Sequence, residues 1–222
     1  MTPNEFFDEI YCINLATRQD RWEQCQKEFK KHNLEVIRID AVKGMPMNRV
    51  DAGNIGLLLT NIDIIKKAKQ RGLKKILILE DDVIFKDNFN EKFSEKIQFL
   101  PADWQTIHLG GNHHFFRGNF ECISKEINFP LTVNNYRQLD HEICTTKWSQ
   151  TTHAVGIHEN MYDTLLRNFS GFQAPIDLIY CNLQIHNIFK MYAFIPSLAL
   201  QRASYSDILN RNVDYNNHLH YF

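Results

Sequence analysis

The sequence predicts an α/β fold with a largely parallel sheet. In the first 82 residues, apolar runs that favour strands alternate with amphipathic helical patterns, and short turns separate them. The third apolar run is almost uninterrupted, as expected of a strand that is buried on both faces of a parallel sheet. Such alternation is typical of helices packed against a sheet.

The first elements follow from periodicity and turn residues. Residues 10–15 form an apolar run that ends in a turn, and residues 35–40 alternate in polarity, so both are predicted strands. Apolar residues recur at helical spacing in 18–31 and 53–69, which predicts two helices. Residues 74–79 are predicted to be the third strand, central in the sheet.

Beyond residue 85 the patterns are weaker. They predict, in order, a helix at 88–100, a strand at 104–109, a strand at 151–157 and helices at 160–168 and 178–188. Residues 110–149 are rich in Asn, His and aromatic residues and show no sustained period. A long unpatterned region in a compact domain usually contains function, unrecognised structure or mobile chain.

Composition limits the functional classes. With 44% apolar residues in 222, the chain is long enough for one substantial core, and a formal net charge of -1 argues against a nucleic-acid partner. Five widely spaced cysteines indicate neither a disulfide framework nor a zinc site. The acidic N-terminus and the lack of a long apolar stretch lead us to expect no signal peptide, no transmembrane segment and a cytoplasmic location.

Three acids, Glu80, Asp81 and Asp82, come directly after the third predicted strand. Ligands of open α/β sheets bind beyond the carboxyl ends of the strands, so these acids face the expected crevice. Carboxylate oxygens suit Mg²⁺ or Mn²⁺, which can also hold a nucleotide diphosphate. The alternative is that the acids end the strand in solvent and cap the following turn.

Four motifs in the first half carry a resemblance. They are Asn14-Leu15 at a strand end, Arg18 to Trp22 at a helix start, Gly53-Asn54-Ile55-Gly56 at another helix start, and the acids at 80–82. Together they resemble glycosyltransferase family 25, the lipooligosaccharide and procollagen galactosyltransferase-like proteins. Later landmarks are similar to that family in the same order: residues 109–111, 152–157, 175–177 and 201–208.

The chain departs from the family pattern in two places. The family commonly carries Cys and then Ser-His after the glycine pair, whereas this chain has Thr60 and Asn61 at the final two positions. This removes an imidazole from the helix and puts donor or acceptor choice in doubt. The region 112–146 has no counterpart in the pattern.

The resemblance implies a GT-A-type fold, with a Rossmann-like, mostly parallel sheet and helices around it. It further implies an inverting enzyme that uses Mn²⁺ or Mg²⁺ and transfers a hexose, galactose or else glucose, from a UDP-sugar to a glycan, lipooligosaccharide or protein hydroxyl. The metal ligands would be Asp82, Glu80 and His220, and the catalytic residues Asp177 and Asp82. Donor-binding residues would be Asn14, Leu15, Arg18, Arg21, Asp40, Glu80, Asp81, Gln201, Ser206 and Asp207.

Several of these residues have an ordinary structural interpretation as well. Arg18 and Arg21 either bind phosphate at a helix start or remain solvated, and a further alternative for Arg21 is an ion pair with an acid near the sheet end. Asp40 either holds a ribose or caps a turn. Asp177 is either the base that takes the acceptor proton or the N-cap of the next helix.

The remaining candidates lie outside the acid cluster. His153, in a predicted strand, fits a core histidine better than a catalyst, and the tail histidines His218 and His220 either reach the metal or belong to a frayed terminus. Aromatic residues offer flat acceptor surfaces but more often belong to the core. Those considered are Trp104, Phe115, Phe116, Tyr136 and Trp148.

We expect a single domain over residues 1–222. Its parts would be a nucleotide-sugar half at 1–109, an acceptor half at 110–200 and a tail at 201–222. The expected partners are a UDP-sugar and an acceptor, with peripheral membrane contact and oligomeric state left open. Two other functions fit the same residues: an inactive nucleotide-sugar-binding module and a metal-dependent phosphohydrolase.

Overall fold

The computed structural model describes residues 1–114, 120–132, 134–208 and 211–214. The strands are β1 (Glu9–Asn14), β2 (Val36–Asp40), β3 (Lys75–Glu80), β4 (Val83–Phe85), β5 (Thr106–His113), β6 (Glu142–Thr146), β7 (Ser149–His158), β8 (Met191–Ile195), β9 (Ala199–Gln201), β10 (Ser204–Ser206) and β11 (Arg211–Val213). The α-helices are α1 (Pro3–Phe6), α2 (Gln19–Lys31), α3 (Ala52–Gln70), α4 (Phe89–Lys96), α5 (Tyr162–Phe169) and α6 (Ile176–Ile185).

Seven strands form the central sheet in the order β2-β1-β3-β7-β5-β8-β6. Strands β2, β1, β3, β5 and β8 run in one direction, and β7 and β6 run against them. This confirms the predicted α/β class, a mostly parallel sheet flanked by helices, which is the arrangement expected of a GT-A-type fold.

The third strand lies centrally, as predicted, but its surroundings are mixed. One neighbour of β3 is the parallel β1, and the other is the antiparallel β7. An apolar run shows only that both faces of a strand are covered, so it does not reveal the direction of the neighbouring strand.

Helices cover both faces because the side chains of each strand alternate between them. Cys12 of β1 packs with residues of α2 and α4, and Ile13 packs with residues of α3, α5 and α6. Burial of a large apolar side chain stabilises the fold by roughly 1.5–3 kcal/mol, so these two layers hold the strand ends in place. None of the described helices is long and apolar enough to cross a membrane.

The unpatterned region contains more structure than the sequence predicts. Strand β5 continues to His113, β6 lies at the edge of the sheet, and Tyr136–Gln138 form a 3-10 turn. Phe120, Leu131 and Tyr136 form a third apolar cluster with residues of β6 and β8. Because the segment buries its apolar residues individually rather than along a regular face, no period is visible in its sequence.

The first three strands end at one edge of the sheet, at Asn14, Asp40 and Glu80. Short strand β4 follows the acid cluster and pairs with β9, which places Val83 opposite Gln201. The chain after β9 is therefore brought back to the edge that carries the acids.

Candidate active site

A cleft of about 270 Å³ opens at this edge of the sheet, and we call it the main cleft. One part of its wall is the acid cluster, Glu80, Asp81 and Asp82, with Ile13 and Leu15 beside it. The remainder comes from the loop 41–44, the first turns of α3, Gln201 and residues 206–208. Its position beyond the carboxyl ends of β1, β2 and β3 is the expected ligand site of an open α/β sheet.

Arg21 organises the acid cluster from the first turn of α2. Its guanidinium lies 2.6 Å from Asp81 and 3.3 Å from Asp82, and it donates a hydrogen bond of 3.2 Å to Ser204. Only 9% of Arg21 is exposed. Of the two structural alternatives given for Arg21, the ion pair with an acid at the sheet end is therefore the one observed.

The other contacts hold each acid in a separate direction. Asn14 donates to Asp81 at 2.6 Å, Thr152 donates to Glu80 at 2.8 Å, and Gln201 donates to Asp82 at 3.4 Å. Asn14 is thus placed to orient Asp81 rather than to line the cleft.

Burial makes two of the acids unusually weak. Loss of solvent, the charge of Asp82 and more weakly that of Asp177 raise the pKa of Glu80 to about 8. Loss of solvent also raises the pKa of Asp81 to about 6, although the nearby Arg21 opposes the shift. A cation that entered the main cleft would favour the ionised form of both groups.

Asp82 is the acid whose surroundings best fit a metal ligand. Its Oδ2 faces Arg21 and Gln201, whereas its Oδ1 is buried and accepts no hydrogen bond. No three residues among His, Cys, Asp and Glu converge on a metal site within the described residues. The chain there offers one or two carboxylates, and this fits a cation that takes its other ligands from a diphosphate and water.

The returning segment, residues 204–208, crosses from α2 to α3. Asp207 pairs with Arg18, and a second guanidinium, that of Arg21, lies 3.7 Å from the same carboxylate. Ile208 packs on Gly53 so closely that a Cβ at Gly53 would lie 2.8 Å from its side chain. The predicted donor residues Ser206 and Asp207 thus line the main cleft, and Arg18 reaches it through Asp207.

A second cleft of about 300 Å³ adjoins the main cleft, and five residues line both: Leu57, Glu80, Gln201, Ser206 and Ile208. Its other residues are Asn54, Gln150–Thr152 and Pro175–Leu178. Asp177 lies in the first turn of α6, where its Oδ1 accepts from the backbone of Leu178 at 2.8 Å. The N-cap position is Pro175, so the predicted N-cap at Asp177 is wrong: the helix begins two residues earlier than the periodicity indicates.

Of the predicted site residues, Asp40 lies away from the main cleft and His220 lies outside the residues that the structure describes. Asp40 is exposed and lines a separate hollow between α3 and strands β1 and β2, which gives its ribose role no support. His220, like His218, falls outside the described residues. The roles assigned to all these residues remain predictions.

Lys43, which is not among the residues predicted for the site, lines the main cleft beside Gly44. The available signal was its position, because it follows a parallel strand and so belongs to the same edge as the acids. Thr152 was overlooked as a partner of Glu80 because β7 runs antiparallel, and its pairing with β3 is not visible in the sequence.

The histidine and aromatic candidates are mostly core residues. His153 is fully buried and its Nδ1 lies 3.1 Å from Thr151 Oγ1, which agrees with a structural histidine. Trp104 and Tyr136 are buried in apolar clusters, and Trp148 packs edge-on against His114. Phe115 and Phe116 lie outside the described residues.

Comparison with known proteins agrees with the family resemblance of the sequence motifs. Procollagen galactosyltransferase 2 of Mus musculus is 30% identical over 162 residues, which cover 62% of this chain and 26% of that protein. Inactive glycosyltransferase 25 family member 3 of Homo sapiens is 28% identical over 129 residues, 47% of this chain and 22% of that protein. The aligned part is thus about a quarter of the length of these relatives.

A solved glycosyltransferase involved in glycosylation of the major capsid of PBCV-1 superposes with a TM-score of 0.49 and 11% identity, covering 89% of this chain and 93% of that one. The family model described as glycosyltransferase family 25 (LPS biosynthesis protein) matches residues 7–180. Because this match covers most of the chain, the protein belongs to glycosyltransferase family 25.

Proposed function

We propose that this chain is a metal-dependent inverting glycosyltransferase. It moves a hexose, galactose or else glucose, from a UDP-sugar to a hydroxyl of a glycan, lipooligosaccharide or protein. Family membership supports the reaction class, and relatives named as galactosyltransferases support the sugar. Other relatives are named as inactive, so turnover needs support from the site itself.

The observation that carries the proposal is the buried, unpartnered Oδ1 of Asp82 at the wall of the main cleft. A buried acceptor without a partner is costly, and a divalent cation would satisfy it. Mn²⁺ or Mg²⁺ bound there would stabilise the negative charge that develops on the departing diphosphate. The role of Arg21 is to oppose the rise in the pKa of Asp81 and to hold Asp81 and Asp82 beside that position.

The second cleft supports an acceptor site next to the donor. An inverting reaction requires the acceptor hydroxyl to attack from the face opposite the leaving group, with a base that removes its proton. Asp177 lies in the second cleft, and Glu80 lines both clefts. Asp177 is therefore our choice for the base, with the acceptor in the second cleft and the UDP-sugar in the main cleft.

Release of UDP from UDP-galactose and UDP-glucose tests the proposal, measured with Mn²⁺, with Mg²⁺ and with a chelator. Acceptors would be hexose glycosides and procollagen peptides. We expect metal-dependent UDP release that rises with acceptor. Donor binding without UDP release would instead indicate the inactive binding module, and release that no acceptor changes would indicate a phosphohydrolase.

A further inference from the structure

The loop 41–44 forms a wall of the main cleft that carries a cation without an acidic partner. Lys43 is exposed and lines the cleft, and no carboxylate of the described residues pairs with it. Arg21, by contrast, faces Asp81 and Asp82 and has little exposed surface. A donor diphosphate brings negative charge into a cleft that already contains several acids, so a cation not engaged by them is needed.

The loop is fixed to α3 by hydrogen bonds as well as by packing. The backbone N–H of Val42 donates to Thr60 Oγ1 at 2.8 Å, and the same hydroxyl donates to the carbonyl of Gly56 at 2.7 Å. At its start, the N–H of Ala41 donates to the carbonyl of Asn14 at 2.9 Å. Thr60 therefore links the loop to the helix through one hydroxyl that is used both as acceptor and as donor.

Two glycines allow the loop and the helix to come this close. A Cβ at Gly44 would lie 2.4 Å from the backbone N of Gly56, and a Cβ at Gly56 would lie 2.4 Å from the carbonyl oxygen of Val42. Any other residue at either position would push the loop away from the helix. The close packing thus fixes the loop against α3, and this determines where the backbone of Lys43 lies at the cleft.

We propose that Lys43 binds the diphosphate of the donor and that Thr60 is the residue that positions its loop. The inference rests on the proposed function, since it takes a nucleotide diphosphate as the ligand of the main cleft. Lysine suits this task because its ammonium group is a compact charge with three donors that can follow phosphate oxygens. It also gives a structural role to Thr60, one of the two residues that depart from the family pattern.

Binding of UDP and of uridine to Lys43→Gln tests the contact, measured by calorimetry with excess Mn²⁺. We expect UDP affinity to fall about tenfold or more, as for loss of a charged hydrogen bond, and uridine affinity to stay within about twofold. Lys66→Gln is the matched control, because Lys66 is an exposed lysine on α3 outside the main cleft. Equal losses for UDP and uridine, or no loss for UDP, would overturn the role of Lys43.

Thr60→Val and Thr60→Ser separate positioning from stability. The valine variant lacks the hydroxyl and should bind UDP about fivefold more weakly at a temperature where it is folded, and the serine variant should bind within about twofold of wild type. A residue that only stabilises the fold would change the melting temperature without this difference in UDP affinity. If Thr60→Val binds UDP as wild type does, the positioning role is wrong; if wild type binds no UDP, the proposed function fails and this inference with it.

Discussion

The acid cluster and a group of buried histidines are two polar regions of the same sheet, and they differ in how burial and neighbouring charges affect their ionisation. The acids at 80–82 lie at the cleft, with Arg21 as counter-charge. His108, His113 and His153 lie on β5 and β7 with 0–1% of their surface exposed, and burial lowers the pKa of each. In the acid cluster the charge of Arg21 opposes the effect of burial on the pKa of Asp81, whereas among the histidines burial dominates and favours the neutral form.

This difference separates function from structure among polar residues. A charge kept beside an open cleft is available to a ligand, whereas a neutral imidazole inside the sheet can only fill space and hydrogen-bond. We therefore expect changes in the acid cluster to alter catalysis and ligand binding, and changes among the histidines to alter stability and its dependence on pH.

The largest effect is expected at Asp82. Asp82→Ala removes the proposed metal ligand, so kcat/KM for transfer should fall at least about 10³-fold, which is roughly 4 kcal/mol of transition-state stabilisation. The circular dichroism spectrum should be unchanged. The control is Asp87→Asn, a surface acid paired with Lys31, which should retain its activity. Transfer by Asp82→Ala at the wild-type rate would exclude the metal-ligand role.

Arg21 tests whether the acids depend on their counter-charge. Arg21→Gln leaves Asp81 buried beside Asp82 without a cation, and loss of one partner of a buried ion pair costs about 3 kcal/mol. Urea unfolding at neutral pH measures the loss of stability. Adding Asp81→Asn should recover part of it, because the uncompensated charge is removed; a double variant no more stable than the single one would show that Arg21 acts by packing alone.

Asp177 tests whether catalysis extends into the second cleft. In Asp177→Asn the side chain keeps its shape but cannot accept a proton, so kcat should fall about 10²-fold. The Kd for UDP should not change, because Asp177 lies outside the main cleft. A variant that retains most of the wild-type kcat would exclude Asp177 as the base. Its role would then be structural, through its hydrogen bonds at the start of α6 and to the N–H of Thr151.

Much of the fold was visible in the sequence where the chain is regular. Predicted and observed limits of β1, α2, β2, α3 and β3 differ by one residue or less at each end. Strand β8, which is buried along its whole length, was not predicted because its short apolar run lies in a weakly patterned part of the chain. The same limit applies to β6 and the third apolar cluster, whose packing depends on residues distant in sequence.

In the candidate site too, local features could be predicted from the sequence, whereas contacts between distant segments could not. The acids were predicted from their position after β3, because the carboxyl end of a parallel strand is a local feature. Contacts that depend on chain return were not predictable: the approach of Thr152 to Glu80 requires the antiparallel β7, and that of Asp207 to Arg18 requires β9 and β10. Lys43 could have been predicted by the same argument, because it follows the parallel strand β2 at the edge that carries the acids.

The smallest effect is expected among the histidines. Burial lowers the pKa of His108 to about 3, whereas an unfolded histidine titrates near 6.5. As pH falls below about 6.5, His108 binds a proton in the unfolded chain but not in the native state. The free energy of unfolding therefore falls by up to about 1.4 kcal/mol per pH unit until the folded pKa of His108 is reached. His108→Leu should therefore lose about 1 kcal/mol less than wild type between pH 6 and pH 5 in urea unfolding. Comparison of the two proteins cancels the titration of the carboxylates, and identical losses would show that His108 is not kept neutral by the fold.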